Sequence, residues 1–185
     1  MNVIEMTKPS DMNDSQLVSI CLQGEVDEFK KIVGKYRGKV MALALNILGN
    51  YEDAEDACQD SFIQAYRNLD RFDTRKSFSN WLFSILYNRC FDQLRKRSRF
   101  YNFFKRVKSD PSFHSVDLES NQSSAQPLSQ SILRELSPKE RTVLFLWAEE
   151  GYTSEEIASV LRCSSSTVRV HLFKARKKIK SILEK

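Results

Sequence analysis

The chain is short of the residues that break helices, ligate metals and cross membranes, and each shortage excludes something. It has five glycines and four prolines in 185 residues. So little turn material favours helices joined by short connections. No run approaches the roughly 20 uncharged apolar residues that span a bilayer. The N-terminal MNVIEMTKPSDMND lacks a basic start followed by an apolar run, so no secretory signal is expected. Cys21, Cys58, Cys90 and Cys163 are scattered; they form no CxxC pair and have no histidine partner at finger-like spacing. They read as reduced thiols of a cytoplasmic protein. Strand-like alternation of useful length is absent, and there is no internal repeat.

What is present is charge, unevenly placed. Apolar residues make up 41% and charged residues 29%, a globular composition. A net charge of +5 points only weakly to a polyanionic partner, and its distribution says more. RKRSRFYNFFKRVK, Arg95 to Lys108, holds no acid, and from Arg169 to Lys185 only Glu184 does. Between them, Ser109 to Ser131 is rich in Ser, Asn, Gln and Pro and reads as a linker. The expected architecture is all-α: a helical domain over 14–99, a flexible linker over 100–127 and a small helical domain over 128–185.

The first helix is expected to start with Asp14 or Ser15 as cap and to stop at Gly24. The second sets Phe29, Ile32, Val33, Tyr36, Val40, Leu43, Ala44 and Ile47 at helical spacing and ends at Gly49-Asn50. A third runs from about Glu52 to Leu69. A loop follows, and a fourth helix starts near Ser79. The C-terminal part is punctuated more sharply. Ser137, Pro138 and Glu140 form a capping box with proline at the first helical position. Thr153 and Glu156 form another, before a short helix carrying Ile157, Ala158 and Leu161. RCSSS makes a tight turn. The last helix puts Val168, Leu172, Ala175 and Ile179 on one stripe. Two short helices, a turn and a basic second helix make a helix-turn-helix.

If that stripe faces inward, the last helix exposes Ser165, Ser166, Arg169, Val170, Phe173, Lys174, Arg176 and Lys177. Hydroxyls and cations suit phosphates, Arg169 and Lys174 suit guanine or phosphate, and Phe173 suits a thymine methyl. A solvated basic face is the plainer reading; the capped helix and turn before it weigh for DNA. His171, beside the stripe, reads as a satisfied or surface histidine rather than a ligand. Trp147, at core spacing with Val143 and Leu144, reads as packing.

NYEDAEDACQDSF, Asn50 to Phe62, gathers five acids around one cysteine. At 100° per residue, Ala54, Cys58, Phe62, Ala65 and Leu69 share one face, while Asp53, Asp56, Asp60 and Arg67 lie opposite. A metal site using Cys58 with these acids would need ligands on both sides of one helix. An exposed acid row also lacks the desolvation that tunes a general acid. Glu52 and Asp53 fit the positive end of a helix dipole. Asp56, Gln59, Asp60 and Ile63 leave two readings open: a docking face for a basic partner, or a solvated face.

Three ordered segments, DAEDACQDSFIQAYRNLDRF, SFSNWLFSILYNRCFDQLRKR and LSPKERTVLFLWAEEGYTSEEIASVLRCSSSTVRVHLFKARKKI, resemble bacterial RNA polymerase sigma factors of the extracytoplasmic-function group. The likeness covers the chain from about Asp14. It implies two helical domains, regions 2 and 4, in a promoter-specificity subunit that is not an enzyme and uses no cofactor or metal. It implies that Asp53, Asp56, Gln59, Asp60 and Ile63 bind the clamp helices of the polymerase largest subunit. Phe72, Arg75, Lys76, Phe78, Trp81, Asn88 and Arg95 would hold the melted −10 strand, the aromatic rings stacking on unpaired bases. Ser165, Ser166, Arg169, Val170, Phe173, Lys174 and Lys177 would read the −35 element. The implied partners are core RNA polymerase (clamp helices and flap), promoter DNA and an anti-sigma factor, in the cytoplasm and without membrane insertion. Two departures stand out: SSST replaces the Pro-x-Gly of many relatives in the turn, and VRVHL has one cation fewer than the commoner run. The rivals are a stand-alone helix-turn-helix regulator with a helical sensor or dimerisation domain, and a metal-dependent hydrolase using the acids and Cys58.

Overall fold

The computed structural model describes residues 13–108 and 135–184. Among the described residues there are seven α-helices and two 3-10 turns, with no strand. The N-terminal bundle comprises α1 (Asp14–Leu22), α2 (Phe29–Leu48), α3 (Tyr51–Arg67) and α4 (Phe78–Lys108). The C-terminal unit comprises α5 (Pro138–Ala148), α6 (Ser154–Leu161) and α7 (Ser165–Leu183).

Local chemistry sets most boundaries. Asn13, one residue before the expected cap, receives the Gln16 amide on its side chain, and the Gln16 side chain accepts the Asn13 N–H. Asn, Asp and Ser all cap well, so three candidates in a row left the start ambiguous. α2 ends where Gly49 adopts φ 71°, a left-handed position that glycine takes without a Cβ clash. Asn50 Oδ1 then caps α3 by accepting the Asp53 amide at 3.0 Å. Both expected capping boxes, Ser137 with Glu140 and Thr153 with Glu156, are formed. In the turn of the helix-turn-helix, Arg162 takes the left-handed conformation usual for glycine (φ 52°), and Ser164 caps α7 by accepting the Thr167 amide. A serine cap thus does the work of the missing Pro-x-Gly. α4 continues to Lys108, nine residues into the expected linker; the rest of that linker lies outside the described residues.

The predicted stripe Ala54, Cys58, Phe62 and Ala65 of α3 is buried, with Ala57 and Ser61 beside it; α3 ends at Arg67, and Leu69 is buried in the 3-10 turn that follows. Val168, Leu172 and Ala175 of α7 are buried and Ile179 is half-buried. Trp147 corrects the expectation: it is 43% exposed, with the Arg176 guanidinium 4.2 Å from its ring centre. Thr142, Val143 and Leu146 form the buried face of α5, and Trp147 falls at its rim.

The two parts are packed together. α5 lies on α2, and α6 lies on α4. One apolar cluster runs through both, including Val40, Phe83, Val143 and Ile157. Polar contacts close the seam. Lys39 Nζ lies 2.6 Å from Glu150 Oε2, and the Glu150 side chain is only 8% exposed. The Tyr152 hydroxyl donates to Ser79 Oγ at 2.7 Å, and its ring centre is 6.0 Å from that of Phe83. The half-buried Arg141 donates to the carbonyls of Leu136 (2.9 Å) and Asn46 (3.4 Å).

All four cysteines are free, and burial pushes each thiol upward, Cys90 to about 12. Thiolate is the nucleophile, so the native chain should resist alkylation at pH 8, with half-buried Cys163 reacting before Cys90. Mass mapping after brief iodoacetamide treatment checks this; equal labelling of Cys90 and Cys163 would contradict the packing of α4.

Candidate nucleic-acid interface

The acid row of α3 separates into two sets. Arg97 of α4 reaches Asp53 at 2.7 Å, and Arg89 of α4 reaches Asp60 at 3.2 Å. Asp53 and Asp60 therefore hold α4 against α3, a use the sequence did not reveal. Asp56 is exposed and has no ionic partner among the described residues. Gln59 and Ile63 are also exposed. Ile63 stands on a ridge between two hollows. One, of about 760 Å³, lies between α2 and α3 over Gly34, Gly38 and Cys58; the other, of about 500 Å³, is lined by Asp60, Arg67 and Arg89. Cys58 lines the larger hollow, and Asp56 and Asp60 do not.

The loop before α4 and the start of α4 enclose an open cavity of about 470 Å³. Phe72, Lys76, Asn80, Trp81 and Ser84 line it from the N-terminal bundle, and Ser159 of α6 and Arg162 of the turn after it line it from the C-terminal unit. Phe78 corrects the expectation. At 2% exposure it packs on Tyr36, Phe72 and Trp81 with ring centres 5.3–5.8 Å apart, so its face is not offered to a base. Phe72 is also buried, though it lines the cavity; Trp81 is half-buried. Arg75 forks onto Asp73 with two bonds of 2.9 Å, and this guanidinium holds the Asp73 carboxyl at about 2. Lys76 is exposed at the cavity rim. Asn88 is half-buried, and Arg95 pairs with Asp92 one helical turn away. Asn80, Ser84 and Asn88 recur every fourth residue and so form one polar stripe of α4.

α7 turns Ser166, Arg169, Val170, Phe173, Lys174 and Lys177 outward, with Ser165 half-buried at its start. Phe173 is 68% exposed, an unusual place for a phenyl ring without a partner to meet. Arg169 Nη2 lies 3.1 Å from Glu155 Oε1 at the start of α6. That acid was not foreseen, because the turn brings together residues fourteen positions apart. His171 Nδ1 is buried with no hydrogen-bond partner among the described residues. Burial, followed by the nearby Lys139 charge, lowers its pKa and keeps the ring neutral. The residue as a whole is half-buried beside the core stripe.

Sigma-70 region 2 matches residues 32–100, and Sigma-70 region 4 matches residues 130–179. The extracytoplasmic-function (ECF) RNA polymerase sigma factor SigW of Bacillus subtilis is 31% identical, over 87% of this chain and 91% of its own length. Among solved structures, the sigma factor RpoE of Bartonella quintana, in complex with the anti-sigma factor NepR, superposes with a TM-score of 0.66 at 27% identity, covering 85% of this chain and 97% of that one. CnrH in complex with the cytosolic domain of CnrY superposes with a TM-score of 0.65 at 28% identity, over 92% and 97%. With both regions present in order, and a full-length relative above 30% identity, the chain belongs to the extracytoplasmic-function RNA polymerase sigma factors, the subunits that give bacterial RNA polymerase its promoter specificity.

Proposed function

We propose that this sigma factor divides promoter recognition between its two packed parts and docks on core polymerase by the outer edge of α3. Region 2 is assigned to 14–99, with the following turns of α4 leading out of it, and region 4 to 128–185. Asp56, Gln59 and Ile63 form the docking ridge for the clamp helices of the largest subunit, flanked by Asp53 and Asp60. The cavity lined by Phe72, Lys76, Asn80 and Trp81, continued by Asn88 and Arg95, receives the unpaired −10 strand. Ser165, Ser166, Arg169, Val170, Phe173, Lys174 and Lys177 read the −35 element in the major groove. The protein works in the cytoplasm and performs no chemistry of its own. Similarity to the sigma factor RpoE, solved with the anti-sigma factor NepR, supports an anti-sigma factor as a further partner.

The observation that carries this reading is the outward face of α7, where cations, hydroxyls and an exposed phenyl ring follow a capped turn. The direct experiment is reconstitution with core RNA polymerase and mapping of transcription starts across a genome. Starts preceded by one shared pair of −35 and −10 sequences are expected; starts indistinguishable from those of core alone would refute the reading. Removing a phosphate contact should also show in salt dependence. Lys177→Ala is expected to reduce the slope of log K against log salt by about 1 for holoenzyme binding to promoter DNA, with sequence preference unchanged.

A further inference from the structure

The matched part of Sigma-70 region 2 begins at residue 32, so α1 precedes it. α1 contributes no residue to the docking ridge, the −10 cavity or the −35 face. Its first turn nevertheless grips the loop that the proposed function brings to the −10 strand. Ser15 Oγ donates to the Thr74 carbonyl at 2.9 Å, across 59 positions of sequence. Asp14 accepts the Tyr36 hydroxyl at 2.5 Å on one carboxylate oxygen and Lys35 Nζ at 2.6 Å on the other. The Asn13 capping box fixes the turn that carries both residues.

Tyr36 carries the support inward. Its ring is buried, with its centre 5.8 Å from that of Phe78, and Phe78 packs in turn on Phe72 (5.3 Å) and Trp81 (5.6 Å). Phe72 and Trp81 line the −10 cavity. Burial and the bond to Asp14 both push the Tyr36 phenol upward, so it stays a donor. The loop itself is braced at two places. Asp73 accepts the Arg75 amide at 3.1 Å besides its guanidinium, and Ser77 accepts the Asn80 amide at 3.3 Å. Thr74, Arg75, Lys76 and Ser77 are all exposed, and the bond from Ser15 ties the middle of this stretch to another helix. A loop ordered only when its ligand arrives loses affinity to that ordering; one held beforehand does not.

We infer that α1 is a strut for the −10 loop, with Ser15 and Asp14 as positioning residues that hold Phe72 to Phe78 in the shape that receives the unpaired strand. The inference rests on the assignment of the −10 surface above. Ser15 acts through the Thr74 carbonyl on the backbone that carries Lys76. Asp14 acts through Tyr36 and Phe78 on Trp81. Fastening α1 to the bundle requires neither bond, because Asn13 caps the helix and Leu17, Val18 and Cys21 bury its inner face. The side chains behind a binding surface fix its geometry as much as those that touch the ligand.

The test uses holoenzyme, reconstituted with core polymerase, on a promoter found by mapping transcription starts. Permanganate reactivity of unpaired thymines in the −10 element reads opening. Competition for core polymerase reads docking through α3. Acrylamide quenching of Trp81 reads the loop without DNA, in the full chain carrying Trp147→Phe, which leaves Trp81 as the sole tryptophan. Ser15→Ala is expected to lower the ratio of open to closed promoter about fivefold, the effect of one lost hydrogen bond. It should raise Trp81 quenching and leave the affinity for core polymerase at the wild-type value. Ser15→Thr keeps a hydroxyl and should restore opening and quenching together. Asp14→Ala should act as Ser15→Ala does, whereas Asp14→Asn, which still accepts from Tyr36, should stay near the wild type. Trp81→Ala and Lys76→Glu strike the −10 surface itself and serve as the reference. If both of these open the promoter normally, the −10 assignment fails and takes the inference with it. If they lose opening while Ser15→Ala and Asp14→Ala keep it, the −10 assignment stands and the strut is wrong. If core affinity falls in step with opening in the α1 variants, α1 only stabilises the bundle and the strut is wrong again.

Discussion

Asp56→Arg is expected to weaken binding to core RNA polymerase by about 100-fold, because a like charge placed against a basic partner costs several kcal/mol. Thermal stability should stay nearly unchanged, since an exposed charge with no partner contributes within about 0.5 kcal/mol. The choice of residue follows from the pairing on α3. Reversing Asp60 would also set two cations against each other at Arg89, and reversing Asp53 would do so at Arg97. Loss of polymerase binding in those variants would be confounded by loosening of α4. Asp56 lacks that ambiguity. Competition for core polymerase against labelled wild-type protein gives the affinity, and calorimetry gives the stability. Wild-type affinity in the Asp56→Arg chain would remove α3 from the docking surface, leaving its acids to the dipole and to α4.

Arg169→Ala should relax discrimination at one −35 base pair by about 1–3 kcal/mol, the worth of a good bidentate contact. Its partner Glu155 makes the experiment sharper. The pair is exposed on both sides, so as a structural bridge it is worth about 0–1 kcal/mol, and its loss should scarcely change the melting temperature. A holoenzyme selection from a −35 library therefore separates the two roles. Selective loss of preference at one position marks a base contact. A uniform fall across all sequences marks a phosphate contact, and no change leaves Arg169 with Glu155 alone. Glu155→Gln serves as the control that removes the bridge but keeps the arginine.

What could be read beforehand depended on how local each cause was. The stripe of α3 and the two capping boxes involve residues at most four apart in each repeat, and they matched the fold. The start of α1 was misplaced by one residue because Asn13, Asp14 and Ser15 are all competent caps. Trp147 was misread because its i+4 relation to Val143 is compatible with either the centre or the rim of a buried face, and the neighbouring helix decides which. Phe78 was assigned to DNA by likeness, but its ring fills the space beside Tyr36, forty-two residues earlier. The pairing of Asp53 with Arg97 and the hold of Glu150 on Lys39 join distant positions, so no periodicity announces them. The same is true of the shared cavity, which exists only once α6 and α4 are side by side.

The seam between the regions joins two parts of one chain, and this fixes how it responds to dilution. A covalent tether keeps region 4 near region 2 at an effective concentration of about millimolar, whatever the abundance of the protein. A closure too feeble to hold two separate molecules together is therefore well populated within one. Dilution does not release it, and neither does a change in expression level. The extent to which the seam is made is consequently the same in a cell holding few copies of the protein as in one holding many.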